Sequence, residues 1–194
     1  MQYVQHNAYG IRSYRNDNPF FSQIFTYGYH TGMHFGKSPG GEVPPVTGIT
    51  SRPRIQGFDC DSCIVGVLID GDGTNGVLMN EVQIMGTKPF SDAAIKISGN
   101  YVSLSISQLD ATLSSTNVVR VFGDFTSVLV SDSIVRTWNE SGLGFPAFEI
   151  ASGRNNVLQV TNTLYGNGFG AVPARALEGT LIVRDVTHVH SFGG

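Results

Sequence analysis

The sequence predicts an all-β protein built as a solenoid of stacked parallel strands. Glycine accounts for 24 of the 194 residues, against about 7% in an average protein, and many of these glycines lie in turns between short β-rich runs. Apolar residues at the 3.6-residue spacing of a helix are nearly absent, whereas valine, isoleucine, threonine and serine are frequent. Together these observations indicate short strands joined by tight turns.

The turns recur at one irregular period. Gly99, Gly123, Gly153 and Gly179 each end a short apolar run and open another, and they are 24, 30 and 26 residues apart. A further turn at Gly71 lies 28 residues before Gly99. Repeats of this length, each with two or three short strands, are typical of a solenoid whose coils bury their inner faces only against the next coil.

The strand after each turn alternates apolar and polar residues and then reaches a corner. The residues predicted at this corner, one per coil, are Thr26, Gly57, Glu81, Gln108, Asp132, Asn162 and Asp185. We expect their side chains to satisfy backbone N–H groups at the corner, as in Asx turns. The alternative is a row of acids with a chemical role.

The strand before each turn carries one central residue between two apolar neighbours. These central residues are His34, Leu68, Lys96, Arg120, Glu149 and Arg175. Because side chains alternate between the two faces of a strand, we expect them to point outward in one column, with Glu149 one coil away from both arginines. The column predicts either a solvent-facing ladder of salt bridges or a surface whose histidine and three cations bind an acidic polysaccharide.

The two strand patterns predict about seven coils, the first and last incomplete, in a single domain over residues 1–194. The repeat, and segment 20–36 (FFSQIFTYGYHTGMHFG) above all, resembles the right-handed parallel β-helix of the pectate-lyase-like superfamily. This resemblance implies a scaffold shared by polysaccharide lyases, hydrolases and trimeric phage tailspikes. The aspartate clusters and basic motifs of pectate lyases and polygalacturonases are not visible, so the resemblance assigns no catalytic residue.

Three long loops, at 86–91, 139–146 and 166–173, are predicted to project from one edge of the solenoid. In and beside them lie the aromatic and acidic residues Phe90, Asp92, Trp138, Glu140, Phe145, Tyr165 and Phe169. Exposed aromatic faces beside carboxylates suit sugar rings, so Trp138 and Phe145 are candidate substrate-binding residues. The alternative is that the aromatic side chains pack against the body of the solenoid and hold the loops in place.

A row of Asp59, Gln83 and Asp110 is predicted two residues beyond the corner. Two acids separated by two coils would be about 10 Å apart, near the separation found in inverting glycosidases. The candidate catalytic residues are Asp59, Asp110, Glu140 and Glu149. Whether the protein is an enzyme stays open; if it is, glycoside hydrolysis and polysaccharide lysis are the two chemistries expected.

Cysteine and histidine give no indication of a metal or cofactor. Cys60 and Cys63 form one C-x-x-C without a second pair, so we expect both to pack as small buried residues. His188 and His190 alternate in the last strand, and an isolated pair of this kind is expected to lie at the surface or the end of the solenoid.

Charge and hydropathy exclude some partners and leave the ends open. The net charge of −3 argues against nucleic acid, and the apolar runs are too short to span a membrane or to form a signal peptide. Because solenoids need covered ends, we expect a segment of a longer chain, flanking domains or a homotrimer. The sequence therefore predicts an extracellular or virion-surface domain that binds a polysaccharide or glycan, with or without degrading it; the alternative is a non-catalytic fibre or receptor-binding module.

Overall fold

The computed structural model describes residues 4, 7–36, 48–86 and 92–189. The all-β, all-parallel solenoid predicted from the sequence is confirmed. In chain order the strands are β1 (Tyr9–Ser13), β2 (Asn16–Asp17), β3 (Phe20–Tyr27), β4 (Thr31–Phe35), β5 (Thr50–Ser51), β6 (Arg54–Cys63), β7 (Val65–Ile69), β8 (Val77–Gly86), β9 (Ile95–Ile97), β10 (Ser103–Thr112), β11 (Val119–Val121), β12 (Ser127–Thr137), β13 (Phe148–Ile150), β14 (Val157–Asn167), β15 (Ala174–Ala176) and β16 (Thr180–His188).

Two large sheets run along the solenoid. The first sheet has the order β1-β4-β7-β9-β11-β13-β15, and the second has the order β3-β6-β8-β10-β12-β14-β16. A third, two-stranded sheet pairs β2 with β5. The solenoid has about five turns, slightly fewer than the predicted seven coils.

The core lies between the two large sheets and is built from columns of apolar side chains. Val67, Ile95, Val119 and Phe148 are aligned on neighbouring strands of the first sheet, and none of them is exposed to solvent. Burying one such side chain contributes about 1.5–3 kcal/mol. The alternation that fills these columns places the residues between them on the outer surface.

Each long strand of the second sheet bends at a corner residue with a positive φ. These residues are Gln23, Gly57, Glu81, Gln108, Asp132, Asn162 and Asp185, with φ between 45° and 68°. The predicted corner column is therefore right from Gly57 onward and wrong in the first coil, where Gln23 takes the place of Thr26. Thr26 is buried and pairs with Cys60 instead.

The corner side chains are exposed, apart from the partly buried Gly57. Asn162 donates to Asp132 Oδ1 at 2.5 Å, so these two corner residues contact each other across neighbouring coils. The expectation that corner side chains satisfy backbone N–H groups is not met by this pair, because the bend places both side chains in solvent.

The glycine turns of successive coils stack on one another, as their recurring spacing in the sequence predicts. A Cβ atom on Gly123 would lie 1.9 Å from the carbonyl oxygen of Gly99, and one on Gly99 would lie 2.7 Å from that of Gly71. Only glycine allows neighbouring coils to approach this closely. At this edge of the solenoid the close approach, more than the backbone angle, explains the high glycine content.

Candidate functional site

The outward column of the first sheet is in the predicted register. Residues 34, 68, 96, 120, 149 and 175 are aligned on successive strands, and the structure adds Arg12 at the start of the row. We call this row the charged column: Arg12, His34, Leu68, Lys96, Arg120, Glu149 and Arg175. Adjacent strands are about 4.8 Å apart, so the column spaces its side chains at that interval along the solenoid.

Glu149 is the ion-pair centre of the charged column. Its Oε2 lies 3.0 Å from Arg120 Nε, and its Oε1 accepts from Arg175 Nε at 3.1 Å and from Arg175 Nη2. Asn117 Nδ2 donates to Oε2 at 3.1 Å and to the carbonyl oxygen of Pro146 at 2.7 Å. The predicted contacts with both arginines are confirmed.

The salt-bridge ladder is not solvent-facing at Glu149, whose side chain is 1% exposed. The two guanidinium groups and Asn117 surround the carboxylate and shield it from solvent. The structure thus places Glu149, a candidate catalytic acid, in a buried ion pair with both arginines. The arginines remain accessible, with side chains 22% exposed for Arg120 and 42% for Arg175.

Aromatic rings flank the cations. The Arg120 guanidinium lies 4.7 Å from the ring centroid of Phe122 and 5.1 Å from that of Phe145. Lys96 Nζ donates to Asp92 Oδ2 at 2.7 Å and lies 5.7 Å from the Phe122 centroid. The half-buried Phe145 is thus brought to the charged column, as a substrate-binding role for it requires.

The loop that carries Phe145 is fixed by Asn139. Its Oδ1 accepts from the backbone N–H groups of Gly144 and Phe145, both at 3.0 Å, and its Nδ2 donates to the carbonyl oxygen of Gly168 at 3.1 Å. Asn139 is buried. Sequence reasoning missed this residue and also Asn117 and Phe122, because their roles depend on how the loops fold back onto the sheet.

His34 is buried beneath the first coil. Its Nε2 lies 2.8 Å from Asp70 Oδ1, and its side chain is 4% exposed. Its ring stacks on Tyr9 with centroids 5.1 Å apart, and Arg12 lies over the Tyr9 ring at 4.0 Å. The structure thus places His34, a predicted substrate-binding residue, beneath the first coil, which covers its imidazole.

Trp138 is a core residue. It is 1% exposed, its ring meets that of Tyr165 at 6.0 Å, and a Cβ on Gly168 would lie 2.1 Å from its Cζ2. The next coil covers the indole, so Trp138 cannot stack on a sugar ring at the surface. For Trp138 the alternative interpretation is the correct one: the aromatic side chain packs into the body of the solenoid and holds the adjacent loop against it.

The candidate acids Asp59 and Asp110 of the second sheet are in register but line different concavities. Asp59, Gln83 and Asp110 lie in register on adjacent strands, as predicted. Asp110 is held by Arg136, whose Nε and Nη2 donate to it at 2.9 and 2.8 Å. Asp59 and Asp110 line two different concavities, of about 120 and 360 Å³, and Glu140 lies elsewhere, its backbone N–H bonded to Ser114 at 3.3 Å.

The cysteines are buried free thiols, as predicted. The hydrogen bond with Cys63, together with burial, raises the pKa of the Cys60 thiol, and the same bond lowers the pKa of Cys63. Among the residues that the structure describes, no group of three or more His, Cys, Asp or Glu side chains could hold a metal ion. His188 is exposed on β16, while Phe90 and His190 lie outside the described residues.

Comparison with known proteins identifies no relative of this chain from which a function could be inferred. The chain matches no protein-family model, no curated protein and no solved structure. Within the described residues, no helix is long and apolar enough to cross a membrane.

Proposed function

We propose that this domain binds an acidic polysaccharide along the charged column of the first sheet. The observation that carries the proposal is the buried Glu149, which holds Arg120 and Arg175 in fixed positions on strands two coils apart. Glu149 is the one carboxylate in the column, against the four cations Arg12, Lys96, Arg120 and Arg175. Repeating cations on a rigid sheet suit a ligand with repeating carboxylates or sulfates.

The pairing with Glu149 leaves donors free on each guanidinium. An arginine has five N–H donors; Glu149 contacts Nε of Arg120 and Nε and Nη2 of Arg175. The other terminal N–H groups can donate to a ligand carboxylate, and such charge-assisted bonds are about twice as strong as neutral ones. Because Glu149 orders the side chains before binding, less conformational entropy is lost when the ligand arrives.

The ring of Phe145 adds a sugar-stacking surface beside the cations. It is half-buried, it lies 5.1 Å from the Arg120 guanidinium, and Asn139 fixes its backbone. A pyranose that placed its carboxylate on the arginine would bring its C–H face near this ring. The coil spacing of about 4.8 Å is close to the length of one sugar unit, which supports a polymer lying along the solenoid axis.

Binding of de-esterified polygalacturonate tests this proposal, with neutral dextran as the comparison polymer. We expect the wild-type protein to bind polygalacturonate and Arg175→Gln to weaken binding by about tenfold, the loss of one charge-assisted contact. The matched control is Arg154→Gln, which removes the same charge from a 76% exposed side chain at the glycine turns. Equal losses in both variants, or no preference over dextran, would refute a specific site.

Hydrolysis is a second candidate, favoured by the row of Asp59 and Asp110. Their separation by two strands, about 10 Å, is near the spacing of inverting glycosidases. Asp110 is held by Arg136, and the two acids line two different concavities. Release of reducing ends from a polysaccharide, abolished by Asp59→Asn, is the result that would establish this activity. We also propose that the chain is a member of the pectate-lyase-like superfamily, and the parallel solenoid fold supports this proposal.

The fibre alternative makes a different prediction about assembly. Leu129 is 36% exposed on the second sheet, and Leu68 is half-buried in the charged column. A trimeric, tailspike-like arrangement would cover such outward apolar side chains. A trimer in sedimentation equilibrium that Leu129→Ser dissociates would support this arrangement, whereas a monomer at all concentrations would exclude it for this chain.

A further inference from the structure

A further concavity lies on the outer surface of the second sheet, apart from those lined by Asp59 and Asp110. It encloses about 350 Å³ and is lined by outward residues from β3, β6, β8 and β10. We call it the second-sheet groove; its outward lining residues are Phe20, Arg54, Gln56, Leu78, Asn80 and Ser105. None of these residues belongs to the charged column, so the groove is a separate feature.

The floor of the groove is an ordered row of amides. Asn80 Nδ2 donates to Gln56 Oε1 at 3.0 Å, and Ser107 Oγ donates to Asn80 Oδ1 at 2.8 Å. These bonds fix which way each amide points. The Gln56 Nε2 group and the second hydrogen of Asn80 Nδ2 therefore stay available as donors at known positions.

Large apolar side chains stand beside the amide row. Phe20 is 66% exposed and Leu78 is 48% exposed, and the two lie on strands separated by the strand that carries Arg54. An exposed aromatic face next to fixed amide donors is suited to a sugar ring, whose C–H face packs on carbon while its hydroxyl groups accept and donate hydrogen bonds.

Arg54 supplies a positive charge to the groove. Arg120, Arg136, Arg154 and Arg175 each contact a carboxylate, whereas Arg54, among the residues that the structure describes, makes no ion pair. It is exposed and stands between the two apolar side chains of the groove. A guanidinium in this position favours a ligand with a carboxylate over a neutral one.

We propose that the second-sheet groove binds a single carboxylated sugar, a hexuronic acid, as a free glycoside or as one unit of a chain. The ring packs on Phe20, the hydroxyl groups bond to Gln56 and Asn80, and the carboxylate binds Arg54. The volume is at the lower end of the range for small-molecule sites, about 300–1,000 Å³, which limits the ligand to one or two rings. This site is independent of polymer binding on the charged column.

The test is a pair of NMR titrations with methyl glucuronide and methyl glucoside, which differ in the carboxylate alone. We expect the glucuronide to shift the side-chain amide signals of Gln56 and Asn80, and the glucoside to bind at least about tenfold more weakly, since it lacks the charge-assisted bond to Arg54. Arg54→Gln should reduce glucuronide binding to the level of the glucoside.

Two phenylalanines of the same strand provide the matched control. Phe20→Ala should weaken both ligands, whereas Phe25→Ala should change neither, because Phe25 is equally exposed but lies beyond the bend, outside the groove. The inference is overturned if the glucuronide leaves both amide signals unmoved, if the two glycosides bind equally, or if Phe25→Ala has the effect expected of Phe20→Ala. Arg175→Gln separates the two sites, since it should alter polymer binding and leave the groove unchanged.

Discussion

Asn156 is predicted to be the polar side chain on which the stacking of the later coils depends most. It is 1% exposed. Its Nδ2 donates to the carbonyl oxygens of Gly123 and Ser152 at 2.7 and 3.0 Å, and its Oδ1 accepts from the backbone N–H of Thr126 at 2.8 Å. One side chain thus satisfies backbone groups on two coils.

Asn156→Ala leaves the Thr126 N–H and the Gly123 carbonyl buried without these partners. Each buried unsatisfied group costs about 1–3 kcal/mol, so the loss of partners for two groups should lower the free energy of unfolding by about 2–6 kcal/mol. The total stability of a domain is about 5–15 kcal/mol, which makes this a large loss. For a chain of this size it corresponds to a decrease in Tm of about 2–4 °C per kcal/mol.

Urea unfolding followed by the fluorescence of Trp138, the one tryptophan of the chain, measures this loss. The control is Asn155→Gly, which removes the exposed neighbouring side chain at a backbone with φ of 56° that glycine adopts freely. A loss below about 1 kcal/mol for Asn156→Ala, the net value of one ordinary hydrogen bond, or an equal loss for the control, would refute the reasoning.

Three further predictions concern the turns and the ion pairs. Gly123→Ala should prevent correct stacking, because its Cβ would meet a carbonyl oxygen at 1.9 Å. Gly142→Ala should still fold, because its Cβ would meet nothing within 4 Å and its φ of 70° costs an L side chain only about 1–2 kcal/mol; circular dichroism and soluble yield compare the two variants. The backbone N–H and guanidinium of Arg154 lower the pKa of Asp124 below its ordinary value of 3.8. The ionised Asp124 therefore stabilises the folded state above pH 3.8, and this stabilisation is lost as the pH falls through the lowered pKa of the folded state. Asp124→Asn should be less stable than wild type at pH 7 and equal to it in strong acid. Glu149→Gln should lower the free energy of unfolding by about 1–3 kcal/mol in urea titrations, since it weakens charge-assisted bonds to partly exposed partners.

The register of the charged column could be predicted from the sequence, since it follows from two local rules. Side chains alternate along a strand, and coils of a solenoid stack at a fixed spacing. Placing Arg120, Glu149 and Arg175 in a row required the glycine turns and the apolar neighbours, both of which are visible in the sequence. The row of Asp59, Gln83 and Asp110 was predictable for the same reason.

The depth of each side chain could not be predicted in this way. Glu149 and His34 point away from the core, yet both are buried, because arginines, tyrosines and a folded-back loop cover them. Trp138 follows a strand directly and turns under the next coil. These outcomes depend on loop paths and on residues distant in sequence, which a periodic pattern does not contain.

The first coil shows a further limit of pattern reading. Gln23 and Thr26 are both polar residues within three positions of each other, and only the backbone shows that Gln23 takes the positive φ while Thr26 packs against Cys60. Arg12 was missed because the first coil is incomplete, so the column lacked a second neighbour by which to recognise its register. The second-sheet groove was missed because none of its residues belongs to a sequence motif that indicates a binding site.

The most direct test of polysaccharide binding on the charged column is an NMR titration with an oligogalacturonide that follows the arginine Nε–H signals. The account predicts that the signals of Arg120 and Arg175 shift together and saturate, while those of Arg136 and Arg154, whose carboxylate partners lie outside the column, stay in place. Equal shifts at all four arginines, or none at Arg120 and Arg175, would contradict it.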